Sequence, residues 1–298
     1  MKAVKAEMLL LLITVVWGVT FTFTKIGLEE TTPFFYVFMR FTIAFTLSFL
    51  IWGKYLLKID RTTAFRGAVL GLFMLGGFIF QTLGLKLTSV SKSAFITGMS
   101  VLFTPFVFRL IEKKKVEFWQ KMGVFVAFIG LWLFTNPKWD MINLGDVFTL
   151  VSTFFWAFYI TYMDIYTKDI KTFENTMQNV FMQFIVTAPG ALVASLLFEG
   201  INIQVNFNNS LIISLLYNGI VASVFLTIIH TSVQKYTTPV KAALIFSLEP
   251  VFATVVAIFA INEILSGREY FGALVLFMGI IVAETGETIL NKLFVRNS

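Results

Sequence analysis

The chain has 298 residues, 57% of them hydrophobic and only 13% charged, with a mean hydropathy of +0.84. The charged share is about half that of a soluble domain, which excludes a soluble globular protein and makes this an integral membrane protein. A net charge of +6 would suit nucleic acid, but the basic residues are sorted by membrane side, and the absence of cysteine excludes disulfide and thiol chemistry.

Ten apolar runs follow one another, over 6–24, 33–52, 65–85, 93–111, 118–134, 144–163, 175–198, 210–232, 238–260 and 269–289. Each is about 20 residues, the length that crosses roughly 30 Å of hydrocarbon. The connections are too short to form a soluble domain. Lys2 and Lys5 before the first run imitate a secretory leader, but no small-residue cleavage site follows, so the run is read as a retained span. Seventeen of the 23 Lys and Arg fall on the N-terminal side, five on the other (Lys25, Lys86, Lys92, Lys138 and Arg268), and Arg40 lies within a span. The positive-inside rule therefore predicts a multi-pass protein of the cell membrane with both termini cytoplasmic. The Lys113–Lys115 run is a topology signal.

In the first span Trp17, Phe21 and Lys25 share one helical face. Lys25 reads either as an interfacial lysine snorkelling outward or as a cation facing a cavity. Arg40 lies about 10 Å inside its span. A charge at that depth meets protein or water, as a structural partner or a solute contact. Gly67, Gly71, Gly76, Gly77 and Gly84 make the third span a packing helix, with Gln81 its strongly polar interior group. The fourth span contains Thr97, Gly98 and Pro105, which together predict a break in it. Asn136-Pro137 ends the fifth. Asp146 opens the sixth as a carboxylate that favours the helix dipole, ahead of Trp156, Tyr159 and Asp164. The pair Gly145-Asp146 lacks the context of an intramembrane aspartyl protease. His230, in the eighth span, has no ligand partners at metal spacing and reads as a hydrogen-bonded histidine before a proton relay. In the ninth, Glu249 is followed at once by Pro250, so a charge and a helix break coincide at mid-span. Gly272 and Gly279, one heptad apart, are expected to let the tenth span pack closely in a hairpin with the ninth.

The chain repeats itself. A shift of 149 residues aligns Lys92 with Lys241, Ala94 with Ala243, Gly123 with Gly272 and Gly130 with Gly279. Near the N-terminus a shift of 139 aligns Thr14 with Thr153 and Trp17 with Trp156, and the ten extra residues of the second copy fall in 199–210. Five spans per copy is an odd number, so the repeats, 1–137 and 138–298, are inverted. The fold class is all-α, ten transmembrane helices in two inverted five-helix repeats. Such repeats, with an interrupted helix at the midplane, are a recurrent plan of secondary transporters.

These residues carry a family resemblance. Trp17-Gly18 with Lys25, Arg40-Phe41, Gly145-Asp146 with Trp156, Ala157 and Tyr159, the run Leu248–Ala253, then Asn262, Glu263 and Leu265, and finally Gly272, Ala273 and Gly279 make the chain resemble the drug/metabolite transporter superfamily in its EamA-type branch. The resemblance implies a central cavity between the repeats and transport of small organic solutes, often export of amino acids or related metabolites. The expected cavity residues are Trp17, Arg40, Gln81, Trp156, Tyr159 and Glu249. Glu249 and His230 are the candidates for ion coupling, although Glu249 also reads as a structural group beside its proline. Pro105, Pro250, Gly272 and Gly279 are the candidates for gating or packing. Pro105 does not align with Pro250, and Asp164 stands near the repeat-equivalent place of Lys25. No enzyme, cofactor or metal is expected. The expected partners are a small-molecule substrate and the lipid bilayer, with a homodimer as the one protein assembly considered and nucleic acid not expected. The competing class is a channel or other non-transporting membrane protein, which would show a repeated polar filter or a paired nucleophile and base.

Overall fold

The structure, a computed structural model, describes residues 3–56, 58–135, 143–261 and 266–295. Lys2, Asn136-Pro137, the repeat boundary, Lys138, the positions Asn262, Glu263 and Leu265, and Arg296 lie outside the described residues. The helices are α1 (Ala3–Glu30), α2 (Pro33–Leu56), α3 (Arg61–Leu87), α4 (Val90–Gly98), α5 (Ser100–Glu112), α6 (Phe118–Thr135), α7 (Leu144–Thr167), α8 (Phe173–Phe198), α9 (Asn209–Leu216), α10 (Leu226–Val233), α11 (Pro239–Phe246), α12 (Glu249–Ile261) and α13 (Gly267–Val295). A π-helical stretch, Tyr217–Phe225, joins α9 to α10. Because α4–α5, α9–α10 and α11–α12 each form one interrupted span, these helices make ten spans. Among the described residues eight stretches are long and apolar enough to cross a membrane, and Phe118–Phe134 is a shorter apolar helix. Among the described residues the one β pairing is an isolated bridge, Thr31 with Val205.

The packing follows a two-fold exchange of the repeats. Helix α6 packs on its own counterpart α13, and α2 on its counterpart α8. Helix α3 packs on α7 and α8, as the span α9–α10 packs on α1 and α2. Helix α5 lies on α7 as α12 lies on α1. This is the inverted five-plus-five plan expected from the odd repeat.

The glycine stripe of α13 has a different partner from the one expected. A Cβ on Gly272 would stand 2.2 Å from the Phe134 amide nitrogen, and one on Gly279 2.5 Å from that of Ala127. Gly130 of α6 stands as close to the backbone of Leu276. The small residues therefore seat α13 against α6, across the repeats, and not against its chain neighbour α12. Close van der Waals contact is what holds two helices together where lipid tails are as apolar as leucine.

Pro105 is also corrected. The break in the fourth span lies at Met99, between α4 and α5, and Pro105 sits inside α5. Lipid-embedded helices tolerate an interior proline when neighbouring groups take up the freed carbonyl. Gly98 supplies the weak point instead, and a Cβ there would meet Leu131 at 3.2 Å and Pro250 at 3.6 Å. The ninth span breaks where expected, at Ser247-Leu248 beside Glu249-Pro250. At the shift of 149 the two breaks coincide, Met99 with Leu248.

Replacing Gly130 with valine should lower the stability of the detergent-solubilised protein by about 1–3 kcal/mol. Gly267→Ala, where nothing lies within 4 Å, should change nothing in the same unfolding measurement. Single cysteines placed at Phe207 and at Lys114 should be labelled by an impermeant thiol reagent from opposite sides of the membrane.

Candidate functional site

Between the repeats lies a cavity of about 60 Å³, room for a few water molecules. All six residues expected there line it: Trp17 from α1, Arg40 from α2, Gln81 from α3, Trp156 and Tyr159 from α7, and Glu249 from α12. His230 lines it as well. Pro105, Gly272 and Gly279 do not. Thr20, Phe78, Thr97, Ser100, Ile160 and Phe246 complete the wall and were missed. The repeat carried a signal for two of them: Thr20 is the counterpart of Tyr159 at the shift of 139, and Ser100 that of Glu249 at the shift of 149, whereas Thr97 corresponds to Phe246, itself missed.

Glu249 and Ser100 stand at the first residues of α12 and α5, each ten residues into its span, or about 15 Å. The breaks put them there. Among the described residues the Glu249 carboxyl group has no hydrogen-bond partner and no cation within 4.0 Å.

Arg40 is 3% exposed. Its Nε donates to Ser223 Oγ at 2.9 Å, and its guanidinium lies 4.3 Å from the centre of the Phe78 ring. Ser223 is turned toward it by the π-helical stretch, where its own hydroxyl donates to the carbonyl of Asn218, five residues back, at 2.8 Å. Single π turns collect at functional sites for this reason. No carboxylate comes within ion-pair distance of Arg40 among the described residues, so the structural ion pair is not found. A side chamber of about 10 Å³, large enough for one water, opens behind it between Thr20, Thr24, Gln81 and Thr82.

The aromatic wall is held from outside. Trp17 donates its indole N–H to the Ala222 carbonyl at 3.3 Å, and its ring stands edge-on to His230. Tyr159 donates to Gln183 Oε1 at 2.8 Å, and Gln183 donates in turn to Asn179. Trp156 packs edge-to-face with Phe78 and Tyr159, yet its indole N–H has no partner among the described residues. His230 shares a hydrogen with Gln234 at 2.9 Å through Nε2, while Nδ1 has no partner among the described residues. Gln81 donates to Thr97 at 3.1 Å.

Lys25 fits neither expectation. Its ammonium donates to the carbonyls of Leu85 at 2.7 Å and Thr88 at 2.9 Å, closing the C-terminal end of α3. A cation at a helix C-terminus satisfies orphan carbonyls and the dipole together. Asp146 does cap α7 as expected, in a capping box with Asn143.

Ten apolar spans in two inverted sets of five, broken at mid-span around a polar and aromatic cavity, define a multi-pass membrane transporter. The EamA-like transporter family model matches residues 4–136 and again 143–285, and the chain belongs to that family. It is 29% identical to an uncharacterized transporter of Archaeoglobus fulgidus, over 95% of this chain and 87% of that one. A probable amino-acid metabolite efflux pump of Escherichia coli is 27% identical, over 95% of both chains. One crystal structure at 16% identity superposes with a TM-score of 0.75 over 96% of this chain and 99% of its own, which shows the shared fold.

A Cβ on Gly77 would stand 2.8 Å from the Trp156 ring. Gly77→Val should therefore drive that ring into the cavity and block modification of a cysteine placed at Thr97, at a cost of about 1–3 kcal/mol in unfolding. Gly53→Ala, whose Cβ would meet only Phe49 at 3.8 Å, should leave both readouts unchanged.

Proposed function

We propose that this transporter is a secondary carrier that exports amino acids or closely related zwitterionic metabolites across the cell membrane by alternating access, with both termini in the cytoplasm. The observation that carries the reading is that the cavity wall presents one carboxylate, Glu249, and one guanidinium, Arg40, and neither has an ion-pair partner among the described residues. Burying either charge alone is costly, so a ligand bearing both a cation and an anion complements the wall as no singly charged solute does. In this reading Arg40 and the free Trp156 N–H meet the solute carboxylate, and Glu249 meets its ammonium. The walls of Trp17, Phe78, Trp156 and Phe246 suit an apolar side chain. The amino-acid efflux pump among the relatives supports the same class. Glu249 is the leading candidate to exchange a proton with the solute's ammonium, because one carboxylate cannot hold both. His230, which lines the cavity and whose Nδ1 has no partner among the described residues, is the second candidate for ion coupling. The lysine-rich N-terminal side supports the orientation.

The test is transport in proteoliposomes under an imposed pH gradient, with a panel of labelled neutral amino acids. At least one bulky member should accumulate, and Glu249→Gln and Arg40→Gln should each reduce its uptake about tenfold to a hundredfold, the loss of one charged hydrogen bond. Absence of movement for every amino acid, or full pH-driven transport by Glu249→Gln, would overturn the reading.

A further inference from the structure

We propose that Lys92 with Asp146, and Lys241 with Glu7, are alternating latches, one pair closing each mouth of the cavity in turn. The proposal rests on the alternating-access reading above and assigns four residues to its cycle.

The two pairs are the same device built twice. Lys92 and Lys241 are counterparts at the shift of 149, and Glu7 and Asp146 are counterparts at the shift of 139. Thr88 and Thr237 correspond at 149, as do Ser89 and Thr238. Each latch has four parts. A hydroxyl caps the broken span, Ser89 accepting from the Lys92 amide and Thr238 from the Lys241 amide, both at 3.3 Å. The lysine follows within the first turn. Its partner is a carboxylate from the other repeat, carried on α7 or α1, and a threonine hydroxyl donates to that same carboxylate. Strict up-and-down alternation of the ten spans sets Lys92 and Asp146 at one end of the bundle, and Lys241 and Glu7 at the other.

Their placement couples them to the cavity. Lys92 heads α4, which runs to the break before Ser100, and Lys241 heads α11, which runs to the break before Glu249. The carboxylates sit on the helices that present Trp156 and Trp17 to the cavity. Closing a latch therefore fastens a half-helix of one repeat to the aromatic wall of the other.

The two latches are set differently. Lys92 Nζ is 2.5 Å from Asp146, and Thr88 Oγ1 is 2.7 Å from it. At the other end Lys241 Nζ is 3.7 Å from Glu7, beyond hydrogen-bond length, and Thr237 Oγ1 is 3.2 Å away. One tight and one slack copy is what two mutually exclusive closures give when one end is shut. All four side chains are mostly buried, so the pairs are not surface ion pairs of negligible weight.

The test uses a single cysteine at Ser100 in this cysteine-free chain, reacted with a membrane-impermeant maleimide from each side in oriented vesicles. The parent should react faster from the Lys241 end. Lys92→Gln and Asp146→Asn should each raise the rate from the Lys92 end about tenfold. Glu7→Gln and Lys241→Gln should lower that rate, and Lys92→Asp combined with Asp146→Lys should return the ratio of the two rates to the parent's. Ratios unchanged within about twofold, or shifts in the same direction from both pairs, would overturn the latches. If the Lys92 and Asp146 variants do not fold, Glu7→Gln and Lys241→Gln decide alone, and no shift from them is a refutation. Fast reaction from both ends in the parent would overturn alternating access itself. Unshifted ratios with proton-driven transport intact would overturn the latches alone.

Discussion

Hydrocarbon leaves no water to satisfy a broken backbone, so a helix can be interrupted in a membrane only where protein encloses the break. Two breaks meet here, at Met99 and at Ser247-Leu248, and the surrounding helices are built to admit them. A Cβ on Gly18 would press on the Ala253 amide nitrogen at 2.9 Å and on the Glu249 carbonyl at 3.0 Å. Glycine at that position lets α1 lie against the start of α12, and Gly98 lets α4 lie near Pro250. The breaks themselves are tightenings more than gaps. Leu248 donates to Ile245 and Leu102 to Met99, three-residue bonds that keep amides paired while the axis shifts. The axis shift is what turns Ser100 and Glu249 inward.

The site is an electrostatic arrangement as much as a shape. A guanidinium and a carboxyl group line the same enclosure without pairing with one another. Arg40 is held by a hydroxyl and an aromatic face, partners that orient a guanidinium without discharging it. Ser100 stands where an exact repeat would place a second carboxylate, so the enclosure has one acidic group and a definite polarity.

What the sequence made legible follows from the range of each signal. The ten spans are composition averaged over 20 residues, and the inverted repeat is an alignment; both are read without coordinates. The ninth-span break was visible because a proline and a charge stand together. A break in the fourth span was visible in Thr97, Gly98 and Pro105 together, but its place was not, because Gly98 acts through Leu131 and Pro250, contacts made across the fold. The π-helical turn at Tyr217–Phe225 leaves no periodic trace in so short a stretch, yet it aims Ser223 at Arg40. Glycines at heptad spacing announced close packing but not the partner, since α6 and α12 offer equally apolar faces. The cavity residues identified in advance were the large polar and aromatic ones. Ser100 is an ordinary helix residue until the repeat is used to find its counterpart.

The segment joining α8 to α9 has no equivalent of its length between α2 and α3. Its Glu199 caps α2 by accepting from the amides of Phe34 and Phe35, at 2.7 and 3.1 Å. The Asn206 amide donates to the Glu30 carbonyl at 2.9 Å, its side chain donates to the Glu30 carboxylate at 2.7 Å, and Val205 bridges Thr31. Two identical halves would give both ends of the bundle the same fastenings. This strap ties the α1–α2 connection to the segment ahead of α9 at one end only, so the ten residues 199–208, none of them in the cavity wall, set one end of the bundle apart from the other.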